Sequence, residues 1–282
     1  MKKLASLLLA LGLLTALAAC AKAPSVTMED IYKAGLADTM LADHRSFSFR
    51  YTQDGVVTED HRTRDYIYQS TPEWESLVTP EAYYCRMEGA CVRYLPVTPT
   101  GLGDMGDIFA QQYAVAFSGQ DATKEVIDLV EEQDGIITVH THVPTQRIPE
   151  LSYRAEDTLS VKGIYRLDKE TGLLTGAESV VIRKDGTREE LLADVTYDGP
   201  MPQGLQNLLS YARQEDNLRT VTLVTGAVSQ SVRLPKGMSL QLYSLSGEER
   251  TFEAYADEAC TQPWSAPTDY VSDSTVYVKW SE

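Results

Sequence analysis

The 282-residue sequence offers little with which to do chemistry or to hold a polyanion. Histidine and cysteine occur four times each. No Cys-x-x-Cys or His-Glu-x-x-His spacing accompanies them, and zinc takes three or four protein ligands, so no metal site is written in the chain. A nucleophile needs a neighbouring base and a positioned oxyanion site, yet the sequence lacks Gly-x-Ser-x-Gly and has no Ser-x-x-Lys with its partners. The glycine cluster "PTGLGDMGD" at 99–107 lacks both a Gly-Lys-Ser/Thr ending and dinucleotide-motif spacing, so it reads as a flap over a sheet and not as a phosphate loop. Positive charge is scarce: 25 Lys and Arg stand against 41 Asp and Glu, a net charge of −16. That disfavours a nucleic-acid partner, which needs a phosphate-neutralising surface, and adhesion to anionic lipid through a basic patch. No cofactor is implied, and the chain reads as a non-enzyme.

What is present begins at the N-terminus. Lys2 and Lys3 lead into an apolar stretch at 4–19, 16 residues long, short of the roughly 20 that span a bilayer as a helix. A basic start, an apolar middle and small residues at its end describe a secretory signal. The ending Leu17-Ala18-Ala19-Cys20 resembles the lipobox of bacterial lipoproteins. That resemblance implies cleavage before Cys20, whose sulfur then takes a diacylglyceryl group as a thioether, and two acyl chains suffice for stable anchoring. Ordinary cleavage after Ala19 or Ala21, and an uncleaved anchor, are the alternatives. Loss of residues 1–19 removes two lysines and leaves 23 basic against 41 acidic residues, net −18. The membrane partner would then be engaged through the lipidated cysteine and not through charge.

With Cys20 lipidated, Cys85, Cys91 and Cys260 are left. In "YYCRMEGACVRY" at 83–94, a three-residue loop Met87-Glu88-Gly89 places Arg86 opposite Ala90 and Cys85 opposite Cys91, within disulfide range. An exported protein meets oxidants, so Cys85 and Cys91 are a candidate disulfide. A two-residue Glu88-Gly89 turn would stagger the pair by one and leave two inert thiols. Cys260, the odd one, reads as a small buried hydrophobe.

Along the chain, "TMEDIYKAGLADTMLADH" predicts a helix over 27–43, with Thr27 and Asp30 spaced as a capping box. "SFSFRYTQDGVVTEDHRTRDYIY" then switches to period two and turns at Asp54-Gly55. "EVIDLVEEQDGIITVHTHV" repeats the device at Asp134-Gly135. Residues 163–199 read as a three-strand meander turning at Glu170-Thr171-Gly172 and Asp185-Gly186. Further helices are expected at 104–117 and 202–214. Many alternating strands with a few segregated helices define an α+β fold. This helix and long meander, with its "DKETG" turn at 168–172, resemble the half-barrel of periplasmic lipoprotein carriers and sigma-factor regulators, the LolA/RseB-like group. The resemblance implies, over 27–200, a large curved antiparallel sheet wrapping a few helices, with an apolar concavity able to hold acyl chains.

After a polar break, "FEAYADEACTQPWSAPTDYVSDSTVYVKW" closes the chain. Tyr255-Ala256-Asp257, Pro263-Trp264, Asp273 and the terminal Val276-Tyr277-Val278-Lys279-Trp280 resemble the internalin B-repeat, a small β-grasp-like unit. The family's glycine and tryptophan are missing from "ERTFEAYAD", which marks a diverged single copy that would pack on the half-barrel, since repeat units need neighbours to bury their faces.

The expected order is a signal peptide at 1–19, a lipidated tether at 20–26, the half-barrel at 27–200, a helical connector at 201–217 and the repeat-like module at 218–282. Among polar candidates, His140 and His142 share one strand face but have no third ligand. His44 and His61 are lone and polar-flanked, and Glu131-Glu132 is a solvated charge run. Sixteen tyrosines, among them Tyr66, Tyr68, Tyr83, Tyr84, Tyr94, Tyr113, Tyr153 and Tyr165, suit a half-wet sheet face or a groove. Two functions follow for an extracytoplasmic, lipid-anchored protein of the cell envelope. One is binding of a lipid, acyl chain or other apolar ligand by the half-barrel. The other is a contact or sensing surface for an envelope protein partner. An open apolar face would favour the first, a face filled by the helix at 104–117 the second.

Overall fold

The computed structural model describes residues 26–53, 55–114, 123–151, 154–214, 218–244, 251–264 and 273–280. The expected cleavage and lipidation positions around Cys20, the break at 215–217 and Tyr153 lie outside the described residues. In chain order the elements are helices α1 (Met28–Ala34) and α2 (Ala37–Met40), then strands β1 (Phe47–Gln53), β2 (Val56–Arg62), β3 (Ile67–Ser70), β4 (Trp74–Val78), β5 (Tyr83–Met87), β6 (Ala90–Thr98) and β7 (Gly101–Leu102). Helix α3 (Met105–Ala114) precedes β8 (Val126–Gln133), β9 (Ile136–His142), β10 (Thr158–Asp168), β11 (Leu174–Arg183) and β12 (Arg188–Tyr197). Helix α4 (Gln203–Ala212) leads to β13 (Leu218–Thr225), β14 (Val228–Pro235), β15 (Ser239–Ser244), β16 (Phe252–Tyr255) and β17 (Ser274–Trp280). The class is α+β, dominated by antiparallel sheet, as the strand patterning predicts.

Local chemistry explains the elements. The capping box at α1 is present in both directions, with Asp30 N donating to Thr27 Oγ at 3.2 Å and Thr27 N to Asp30 Oδ2 at 2.9 Å. The single helix expected over 27–43 is two pieces, because Gly35 stands at the C-cap of α1 and a glycine inside a helix costs about 1 kcal/mol. In the β8–β9 hairpin Gln133 pairs with Ile136, which leaves Asp134 and Gly135 at φ of 52° and 80°. Positive φ at both central residues is the turn whose twist matches two antiparallel strands.

The chain divides into two compact units: 1–39 with 117–193, and 40–116 with 194–282. Residues 218–282, expected as a module apart, share the second unit with β1–β7. In the first unit the strand order is β12-β11-β10-β9-β8. Val139, Tyr165, Leu167 and Ala177 form its buried row, in register as Tyr165 with Val139 and with Ala177.

In the second unit the order is β15-β6-β5-β4-β3-β2-β1, antiparallel except that β15 runs parallel to β6. Strand β15 was expected in the C-terminal module, but Leu240, fully buried, extends the core face of the larger sheet beyond β6. A second sheet has the order β14-β13-β17-β16, with β13 and β17 parallel at its centre. Between the two sheets lies one core: Tyr68, Leu77, Tyr84 and Leu95 on one side, Val221, Leu223, Val276 and Val278 on the other, with Leu205 and Leu208 of α4. Each such side chain contributes about 1.5–3 kcal/mol on burial.

Candidate functional site

Period-two alternation gives β1–β6 two distinct faces. One carries Ile67, Val78, Tyr83 and Tyr94, each opposite the next across the ladder. Helix α3, the piece expected at 104–117, lies on this face. Its Met105 and Phe109 are buried with Ile67 and Val78, and Ile108, Tyr113 and Tyr83 pack around them. Tyr83 stacks on Tyr94 with ring centroids 4.8 Å apart, and Phe109 on Tyr113 at 5.5 Å. The Tyr243 hydroxyl of β15 meets Met105 Sδ at 3.7 Å. Burial pushes the Tyr83, Tyr94 and Tyr243 hydroxyls above the usual tyrosine range, so all three stay neutral.

The same face holds a buried polar cluster that the sequence reading missed. Arg62 donates to both oxygens of Asp60, Nε at 2.8 Å and Nη2 at 2.9 Å, and Gln69 Nε2 donates to Asp60 Oδ2 at 2.8 Å. Arg62 Nη1 also reaches the Gln112 carbonyl of α3 at 3.0 Å. Side chains of Asp60 and Arg62 are 3% and 8% exposed, so the pair is a desolvated one, held by its hydrogen bonds and costly to break. It ties the C-terminal turn of α3 to the sheet. Signs of opposite charge two apart in "EDHR" were the available signal.

His61, polar-flanked in sequence, is set apart from its neighbours by the same alternation. Its neighbours Asp60 and Arg62 point to the α3 face, whereas His61 is buried on the other. There it meets Ser48 Oγ at 2.7 Å and stacks on Tyr66. Burial lowers its pKa against the opposing pull of Asp60.

The cysteines are corrected too. Met87 pairs with Ala90, Arg86 with Cys91 and Cys85 with Val92, so the turn is the two-residue Glu88-Gly89, at φ of 50° and 83°. Glu88, not Gly89 alone, takes the left-handed conformation. The cysteines are staggered by one, which sends their side chains to opposite faces, and both are free thiols. Burial pushes the Cys91 thiol up to about 11, so it is not a thiolate nucleophile. Cys260, expected in a core, is only half-buried in a turn at φ 53°. The turn is built by Asp257, whose carboxylate accepts from Thr261 and Gln262.

On the face opposite α3, helix α4 is flanked by two clefts. One of about 540 Å³ is lined by Leu77, Tyr84, Arg93, Leu209, Ala212 and Arg213 among others. The other, about 440 Å³, is lined by Arg86, Cys91, Asn207, Leu208, Tyr211 and others. Tyr68 and Tyr84 belong to this face, and Tyr66 packs against its core.

In the first unit, His140 and His142 share a face as expected. Each has a carboxylate partner on β8: Glu131 at 3.2 Å for His140 and Asp128 at 2.7 Å for His142. Among the described residues no three His, Cys, Asp or Glu side chains are grouped to hold a metal ion. Tyr165 donates to Glu125 at 2.9 Å, and the Thr141 hydroxyl donates to the same carboxylate. Burial first, and then Glu125, raises the Tyr165 hydroxyl far out of range. Gly163 makes room here, since a Cβ would come within 2.5 Å of Thr141 Oγ and 2.9 Å of Glu125 Oε2.

No family model matches this chain, and no curated protein does. Solved structures that resemble it belong to two kinds of bacterial protein. The Mycobacterium tuberculosis lipoprotein LppX is 10% identical, with a TM-score of 0.38 over 62% of this chain and 96% of that one. LprF from Mycobacterium bovis is 12% identical at 0.34, over 64% and 97%. The Pseudomonas aeruginosa MucA/MucB complex gives 13% identity at 0.29, over 73% and 74%. Likeness of this size assigns no function to the chain, which has to be read from its own residues.

Proposed function

We propose that the protein is a non-catalytic lipoprotein of the cell envelope, anchored through acylated Cys20, that binds an apolar chain between α3 and the strand face beneath it. The observation that carries this reading is the cover itself. A ten-residue helix, preceded by Gly101 and Gly103, buries only Met105 and Phe109 against the sheet. Those two side chains occupy the volume a flexible apolar chain would take, on a floor of Ile67, Val78 and Tyr83. Aromatic walls with a few converging polar groups, here Asp60, Arg62 and Gln69, are the usual make-up of a ligand pocket. The half-barrel at 27–200 and a repeat-like module at 218–282 remain part of the proposal, the module serving to bury the face opposite α3.

A second reading has its own support. The face beneath α3 is filled by side chains, and that favours a contact surface for an envelope protein partner. Titration with dansyl-undecanoate separates the two. The binding reading expects a saturable, blue-shifted emission whose affinity changes in Phe109→Ala and stays unchanged in Leu129→Ser, an exposed position of the first unit. Absence of saturable emission in the intact protein contradicts it and leaves the partner reading.

A further inference from the structure

The cleft of about 540 Å³ beside α4 lies on the sheet face opposite α3, outside the site proposed above, and its chemistry differs. Its floor is apolar and aromatic, built from Leu77, Ala82 and Tyr84 of the sheet side and Leu209 and Ala212 of the last turn of α4. Over it stands Arg93. The guanidinium carbon lies 5.7 Å from the Tyr84 ring centroid, a cation–π arrangement. Its two terminal nitrogens reach only the Arg233 and Glu81 carbonyls, each at 3.4 Å, at the weak end of hydrogen-bond range. Its Nε is buried without a partner. A buried donor left unsatisfied in a native structure calls for a reason, such as an ordered water, an ion or a ligand.

A second guanidinium, Arg213, lines the same cleft at the C-cap of α4. Asp65 and Glu81 also line it, yet neither carboxylate forms an ion pair with either arginine. Among the described residues the cleft thus carries two arginines and two carboxylates that are not joined in ion pairs, in a chain with 41 acidic and 25 basic residues.

We infer that this cleft is a second binding site, for an anionic amphiphile whose phosphate or carboxylate group meets Arg93 and Arg213 while its apolar chain lies on Leu77, Tyr84 and Leu209. Arginine suits the head group because its planar fork matches two oxygens at once. Tyr84 and Leu209 read the chain. The overall negative charge works against free anions, so the apolar contact is required for occupancy, and a head group alone does not suffice.

The test follows the leucine, valine and methionine methyl and the arginine Nε–H signals of the isotope-labelled protein by NMR. Three probes are added separately: dodecyl phosphate below its micellar concentration, inorganic phosphate and dodecyl maltoside. The site predicts saturable shifts at the Leu77 and Leu209 methyls and at Arg93 Nε–H with dodecyl phosphate. It predicts binding at least tenfold weaker for each of the other two. Arg213→Gln, at an exposed position, and Arg93→Gln should each weaken dodecyl phosphate roughly tenfold or more, the scale of a hydrogen bond to a charged group. If inorganic phosphate saturates as tightly, the cleft is a plain anion site. Equal binding of the maltoside makes it an apolar groove without head-group selection. Either result overturns the inference, as does the absence of saturable shifts. Arg213→Gln binding like the parent protein overturns it as well. Shifts confined to Met105 and Val78 place the amphiphile under α3, which leaves the proposed function standing while this inference fails.

Discussion

At the scale of single residues, Asp198 shows how one carboxylate fixes a chain junction. Just past the end of β12, at φ 51°, it accepts from His44 Nδ1 at 2.8 Å, Arg45 N at 2.7 Å and Ser46 N at 3.3 Å. The bond from His44, then that from the Arg45 amide, holds its pKa below the ordinary aspartate value. A depressed carboxylate pKa adds stability that is fully present above the unfolded-state value, about pH 4, and lost as pH falls through the folded-state value. Urea unfolding of Asp198→Asn should therefore show a deficit against the parent protein at pH 5, above the unfolded-state value. Below about pH 4 the deficit should shrink. A deficit that grows on acidification contradicts the assignment. Nothing in the sequence around Asp198 announced this, because its partners lie more than 150 positions away. The triplet Asp60-His61-Arg62 was legible in principle. Alternation sends the two charges to one face and the imidazole to the other, but only the structure shows that both faces are buried.

Among elements, α3 carries most of the functional argument, and its attachment can be weighed. Breaking a buried pair by removing one partner costs about 3–5 kcal/mol, because the remaining charge is left desolvated. Arg62→Met strands Asp60 in that way and also releases the Gln112 carbonyl. Its unfolding free energy should fall by about 3–5 kcal/mol in urea titrations, and the double variant Asp60→Asn/Arg62→Met should recover a large part. An Arg62→Met deficit below about 1 kcal/mol, in the range of an exposed pair, contradicts the burial argument. Elements themselves were well marked in the sequence. The Asp134-Gly135 turn forms as the dipeptide requires, and α3 and α4 appear within two or three residues of their expected bounds. The failures have physical causes. Glu88 takes a left-handed conformation beside Gly89, which closes a two-residue turn in place of the three-residue loop, and that one-residue change moved Cys85 and Cys91 to opposite faces. Gly35 ended a helix that the apolar pattern alone would have continued.

For the whole molecule, alternation and turn chemistry made the α+β class readable, whereas the grouping of elements was not. Strand β15 follows β14 in sequence but joins β6, over 140 positions earlier. That pairing is set by burial of Leu240, a long-range effect without local signature. The two clefts beside α4 exist for the same reason, being made by residues from the sheet and from a helix far apart in the chain. The proposed lipidation at Cys20 rests on sequence alone, on the lipobox-like Leu17-Ala18-Ala19-Cys20. Together these define the central claim, a membrane-tethered protein that holds an apolar ligand. Native mass spectrometry of the protein purified from its own membrane tests it most directly. The account predicts a mature chain beginning at an acylated Cys20 and carrying a noncovalent apolar ligand that is released on denaturation. A chain that arrives ligand-free under conditions that preserve its fold, or that begins at another residue without acyl groups, contradicts it.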